Sequence, residues 1–335
     1  MTVRVYSSTD ASAPVLTGAV GSLVALLSAV LVDGYGLIPA AGWTKPYTGT
    51  NKAVFRSATA GNGSGMYYRF LDDGTVNAGG AARWAGCRGY GAMTDVDTGT
   101  DPYPTTTQQN TYGNLLFHKS STSDATARAW VIIADQFTCH LLIDTASKIS
   151  TTGYAMMSFG DCYSYKAADA WKGYVAGVHS TSYPYPVFTH HHGYPTANVR
   201  YVYMPRSYTQ TGTAQHMSTF SDKTKVGVNN SIQYHVGVQS SSPALPCPNP
   251  VDGGLYQSRI YLNETTSPYP VRGFFRGLWN SLHNRPLANG DTFSGVGSTA
   301  GKSFQCFKVS STTGSANELN AQINIETSDT WEVSV

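Results

Sequence analysis

Residues 16–35, LTGAVGSLVALLSAVLVDGY, constrain the fold most, because they are the one segment with a sustained helical period. Apolar residues fall at Val20, Leu23, Val24, Leu27, Val30 and Leu31, a spacing of three and four. Ala19, Ala25 and Ala29 favour helix, Gly21, Ser22 and Ser28 keep one side slim, and Asp33-Gly34 is a stop signal. The spacing predicts one amphipathic helix over 16–35, with something packed close against its slim side. Nearly everything after it reads as strand and loop. The expected fold class is therefore mainly β, antiparallel hairpins or a sandwich, with one N-terminal amphipathic helix.

Strand patterns with turn signals between them fall at residues 2–6, 51–57, 66–72 and 81–90, the last with Trp84 and Cys87 as inward residues. Residues 36–50 are rich in Gly and Pro and read as a loop pinned by Trp43 and Tyr47. Further strands are expected at 115–120, 129–133, 139–144, 154–159 and 171–178. The polar run SSTSDATAR between the first two suits an exposed hairpin loop, and 166–170 suits one helical turn. Composition shifts at 180–195, where Pro184, Pro186 and Pro195 mark a boundary or crossover. Two regions follow: residues 1–180, the helix plus a β-rich part, and residues 181–335, a second β-rich part that can be continuous with the first. The second region offers strands at 198–204, 231–239, 255–262, 304–310, 321–326 and 330–335. Residues 240–254, with four prolines, and 273–285 read as irregular.

Only 13% of the 335 residues are charged, against roughly 25% in ordinary soluble chains. Surface polarity must then come from Ser, Thr, Asn, Gln and Gly, and 22 tyrosines suit strands and interfaces. A net charge of +2 with no basic cluster argues against nucleic acid as a partner. The start MTVRVYSSTD lacks a basic region followed by an apolar core, so no secretory signal is expected. The apolar helix is interrupted by Gly and Ser and is too short for membrane insertion. Cys87, Cys139, Cys162, Cys247 and Cys306 are odd in number and widely spaced, which suits buried free thiols.

Candidate chemistry is thin. His190, His191 and His192, aided by His179, His216 or His235, could hold a metal, but neighbours on a strand alternate faces, so no metal site is assigned. Asp95, Asp97 and Asp101 imitate a calcium loop without its closing Glu and read as Asx turns. Residues 295–303, GVGSTAGKS, carry Val296 where a phosphate loop needs Gly, and a strand pattern follows, so a glycine-rich hairpin turn is expected. Asp161, Asp169 and Glu264 could pair for glycoside hydrolysis, with nothing in the sequence to bring them together. Tyr183, Tyr185 and Tyr194 could stack on a glycan or simply pack the proline-rich crossover. Residues 273–286, GFFRGLWNSLHNRP, read as an anion-binding loop or, better, as an aromatic plug at an interface. No catalytic, cofactor or metal residue is assigned, and the chain is not expected to be an enzyme.

Several blocks carry a resemblance: residues 12–36 with 42–56, MTDVDTGTDPYP (93–104), HKSSTSDATARAWVIIAD (118–135), SFGDCYSYKAADAW (158–171), RGFFRGLWNSLHNRPLANGDTF (272–293) and INIETSDTWEV (323–333). In these the chain resembles, from end to end, a group of uncharacterised virion structural proteins of tailed bacteriophages. The resemblance implies a virion location, a tail or baseplate role, and other virion proteins as partners through a homo-oligomer or symmetric assembly. It transfers no functional residue. Head decoration is the alternative, followed by a tail module that binds a host-surface glycan. The helix is the element expected to dock, unless it merely covers one face of the sheet.

Overall fold

The computed structural model describes residues 2–76, 81–108, 113–145, 154–177, 202–220, 249–283, 287–309 and 321–334. These are mainly antiparallel β-sheet with one short N-terminal helix. In chain order the first elements are β1 (Arg4–Ser7), α1 (Ser22–Ser28), which continues as a π turn over Ala29–Asp33, β2 (Thr44–Gly49) and β3 (Lys52–Arg56). Then come β4 (Tyr67–Leu71), β5 (Trp84–Tyr90), β6 (Ala92–Met93), β7 (Gly99–Thr100) and β8 (Leu115–His118). The strands β9 (Trp130–Ala134), β10 (Thr138–Ile143), β11 (Ala155–Asp161), β12 (Tyr163–Ser164) and β13 (Gly173–Ala176) follow. The second half supplies β14 (Val202–Met204), β15 (Gln215–Phe220), β16 (Gln257–Glu264) and β17 (Val271–Ser281). It closes with β18 (Thr292–Ser294), β19 (Ser303–Val309) and β20 (Ala321–Glu326).

Thirteen strands share one sheet, ordered β1-β9-β10-β11-β13-β14-β15-β16-β17-β20-β19-β18, with β12 added on β17. That sheet takes strands from both sides of residue 180. Because β12 follows β11 after Cys162, the ladder that leaves β11 through β13 to β17 returns to the segment next to β11. A five-stranded sheet, β2-β3-β4-β5-β8, stands apart, and β6 pairs with β7 alone.

Side-chain alternation divides the large sheet between two cores. Ile132, Leu141, Met157, Phe159 and Val175 point to one side, where they meet Phe55, Tyr68 and Phe70 of the small sheet and the leucines of α1. Ile133, Leu142, Met156 and Tyr174 point to the other, where they meet Ile260, Phe275, Leu278, Ile323 and Ile325 from later strands of the same sheet. The strands between are buried on both faces, which explains runs such as CHLLI that do not alternate with polar residues.

Several expectations need correction. The helix is shorter than 16–35: Gly21 sits at φ +79°, Leu16 is drawn into a bridge with Arg128, and the α-helix starts at Ser22. Residues 36–50 are not all loop, since β2 forms there as an edge strand; an edge tolerates Pro46, whose nitrogen has nothing to donate. Trp84 and Cys87 are both buried, as expected, and they face opposite sides of the sheet, as a three-residue offset in a strand requires. The polar run after β8 is exposed over residues 122–127, yet it crosses from one sheet to the other and is not a hairpin loop. Residues 166–170 form turns, with Ala168 at φ +51°, and no helical turn. Residues 330–334 make no ladder; side chains such as Trp331 and Ser334 hold them instead.

The largest correction concerns residues 273–285, read as irregular. They belong mostly to β17, which at eleven residues is the longest described strand. Its glycines permit this. A Cβ at Gly273 would lie 1.7 Å from the carbonyl oxygen of Tyr163 on β12, and Gly277 holds φ +70° beside Trp331. A short residue at the first position and a left-handed backbone at the second let two other chain segments close on the strand.

Candidate functional site

Two of the three candidate carboxylates, which nothing in the sequence brings together, do meet in the fold. The hairpin β16–β17 places Glu264 near Arg272, and the turns after β12 bring in Asp169. The Arg272 guanidinium, fully buried, donates Nε to Asp169 Oδ2 at 2.8 Å and Nη2 to Asp169 Oδ1 at 2.9 Å. Its Nη1 donates to Glu264 Oε1 at 3.1 Å and to the Arg206 carbonyl at 3.3 Å. Asp169 also accepts from Ser164 Oγ, the Trp171 backbone N–H and Gln210 Nε2. Burial pushes the Asp169 carboxyl up, but the bonds and charge of Arg272, with Ser164 and Gln210, outweigh it and hold it below the usual range. For Glu264 burial wins over Arg272, and its carboxyl sits above the usual range.

This triad is an internal clamp. Both Asp169 oxygens are occupied by several donors, so neither is free to take a proton from a substrate. Asp161 stands apart: it accepts from the backbone N–H and hydroxyl of Ser64. Burial raises Asp161 to about 6, against Ser64, Lys172 and Arg276. The geometry is not that of two carboxyls facing each other across a sugar ring. Outside the clamp, Arg206 lies over Trp171 at 4.7 Å and pairs with Asp101, while Lys166 approaches Tyr208 at 5.3 Å.

Two further buried clamps tie distant segments. Arg276 gives Nη2 to Asp135 Oδ2 at 2.5 Å, Nη1 to Thr138 Oγ1 at 2.7 Å and Nε to the Glu332 carbonyl at 2.7 Å. The Asp135 carbonyl accepts Trp43 Nε1 at 2.8 Å, so this one node joins residues 43, 135, 276 and 332. Lys119 pairs with Asp72 and donates to the Ala19 carbonyl at 2.5 Å, and Asp72 Oδ2 receives the Leu23 backbone N–H at 2.7 Å. Asp72 thus closes the first turn of α1 from just beyond the end of β4.

The leucines of α1, Leu23, Leu26 and Leu27, lie in the core shared by both sheets, so the apolar face of the helix is used within the chain. Ser28 is buried, and Ala25 is the helical residue left exposed.

The other sequence candidates disperse. Asp97 meets Lys52 and Arg69, Asp101 meets Arg206, and Asp95 accepts the backbone N–H of Val96. Among the described residues no group of His, Cys, Asp and Glu could hold a metal. Residues 295–303 join β18 to its antiparallel partner β19 through a 3-10 turn at Gly297–Thr299, as a hairpin. Cys87, Cys139, Cys162 and Cys306 are buried free thiols. His179, His190, His191, His192, His235, Tyr183, Tyr185, Tyr194 and Cys247 lie outside the described residues, as does the side chain of His216. No described helix is long and apolar enough to cross a membrane.

Sequence reasoning marked residues 273–286 as an aromatic plug but missed its partners on β12 and β16. There Tyr163 stacks on Phe274 at 4.5 Å, and Arg259 lies between Phe274 at 3.8 Å and Trp279 at 4.8 Å. The alternation in RGFFRGLW was the available signal, hidden by the glycines. The chain matches no protein-family model and no curated protein.

Proposed function

We propose that this chain is a structural component of a phage particle, placed in the tail or baseplate and acting through protein–protein interfaces. One observation carries the reading beyond the sequence resemblance itself. The blocks that carry that resemblance supply members of every internal clamp: Lys119 and Asp135, Asp169, Arg272 and Arg276, Trp331 and Glu332. In these blocks the buried charged residues of the clamps hold one chain together, as a particle component needs, and Asp169, with Glu264 outside the blocks, is bound by Arg272. The low charge and abundant tyrosine suit a surface that meets neighbours. We further propose that the small sheet and the large sheet form a sandwich, with α1 at one side of the shared core.

The test is antibody labelling of purified particles viewed by electron microscopy. Label at the tail end is expected; label spread over the head favours decoration, and no label contradicts both. A tail module that binds host glycan is favoured by a separate observation: Tyr165 and Tyr269 are 50% and 45% exposed near the start of β17.

A further inference from the structure

Of the buried arginines among the described residues Arg69 is the least satisfied; the Nε atoms of the half-buried Arg83 and Arg206 also lack a hydrogen-bond partner. Arg272 and Arg276 each engage carboxylates, with contacts as short as 2.8 Å and 2.5 Å. Arg69 on β4 is 8% exposed, yet its contacts to Asp97 Oδ1 and Asn114 Oδ1 are both 3.5 Å long. Its Nε is buried and has no hydrogen-bond partner. Directly across the ladder stands Arg88 on β5, in register with Arg69 and therefore on the same face of the small sheet. Arg88 gives Nε to the Pro104 carbonyl at 2.9 Å and has no ion pair among the described residues. Both guanidiniums approach the ring of Tyr90, at 5.6 Å and 5.5 Å.

Like charges in directly opposed positions repel, and a charge held away from water is costly unless paired. Here Lys52 and Arg69 share the carboxylate of Asp97, and Arg88 on the same face pairs with no carboxylate among the described residues. Asp97 is bound tightly by Lys52 and loosely by Arg69, and its side chain is 51% exposed. The arrangement has a buried, unpartnered donor, and Lys52, Arg69 and Arg88 exceed Asp97 by two positive charges. We infer that Arg69 and Arg88 form a binding site for a phosphoryl group, either free phosphate or a phosphate monoester. A dianion with several oxygens matches the charge and can take bidentate bonds from both guanidiniums. Entry lies on the side of Asp97, which the ligand displaces from Arg69 while Lys52 retains it. The proposal does not depend on the particle reading.

The experiment is thermal unfolding and equilibrium dialysis of the full chain, with inorganic phosphate, a sugar phosphate or acetate at matched ionic strength. Phosphate excluded from protein surfaces raises melting temperatures nonspecifically, so variants decide. The expected result is saturable phosphate binding, weakened by at least about tenfold in Arg88→Gln and tightened in Asp97→Asn, where the competing carboxylate is gone. Stronger binding of the sugar phosphate identifies a monoester as the ligand; equal binding identifies free phosphate. Parallel responses of the unmodified chain and both variants, or a response to acetate equal to that to phosphate, overturn the site. Should Arg88→Gln fail to fold, Asp97→Asn alone decides, since an unchanged midpoint contradicts displacement of Asp97.

Discussion

Lys119 shows what a single buried charge does in this molecule. Its ammonium and the Asp72 carboxylate are both fully buried, and Asp72 caps α1. Burial raises Asp72 to about 6 in spite of Lys119 and the backbone N–H groups of Leu23 and Val24. Replacing Lys119 by Met removes the cation and leaves the acid, at an expected cost of about 3–5 kcal/mol at neutral pH in urea unfolding. The cost shrinks on acidification, because the protonated acid needs no partner. His118 gives the opposite sign. It is buried against Trp84 at 4.3 Å, and burial, with Arg83 and Arg128, lowers it to about 4. Between its ordinary value of 6.5 and about 4 the unfolded chain binds the proton and the folded chain does not, so stability falls as pH falls. His118→Phe keeps a ring on Trp84 and removes the titration. Relative to that variant the unmodified chain is expected to lose roughly 3 kcal/mol between those limits. A pH-independent difference contradicts the burial of His118.

At the scale of elements, β17 decides most. It carries Arg272 and Arg276 to separate acids and contributes Phe275 and Leu278 to the second core. Gly277 combines φ +70° with a Trp331 ring atom 2.3 Å from where a Cβ would stand. Gly277→Ala is expected to destabilise by about 2–4 kcal/mol, from backbone strain and overpacking together. Unchanged urea unfolding contradicts the close approach. This strand was the least legible element in the sequence. Its glycines resemble loop punctuation, and its arginines had no acid within the same stretch, since their partners stand more than a hundred positions away or in the adjoining strand. The hairpin of β3 and β4 and the strands β19 and β20 were legible because alternation and turn residues are local signals. The helix was legible in kind and not in length: its start is set by Asp72, which no local pattern reveals.

For the whole molecule, the large sheet draws strands from residues 4–7 to 321–326, so the chain reads as a body whose parts fold in dependence on one another. Mainly β character followed from composition and alternation. The crossing between sheets after β8 did not, because a polar run looks alike whether it returns or crosses. Nor did the clamp of Asp169 and Glu264 on Arg272, which only the folded topology assembles. The central claim is that this body serves as a part of a phage tail or baseplate. The measurement that tests it most directly is the copy number of the chain per purified particle, by quantitative mass spectrometry against the major capsid protein. A value of a few to some dozens, in keeping with the symmetry of a tail assembly, is the predicted result. A value near the capsid count, or no copy in the particle, contradicts it.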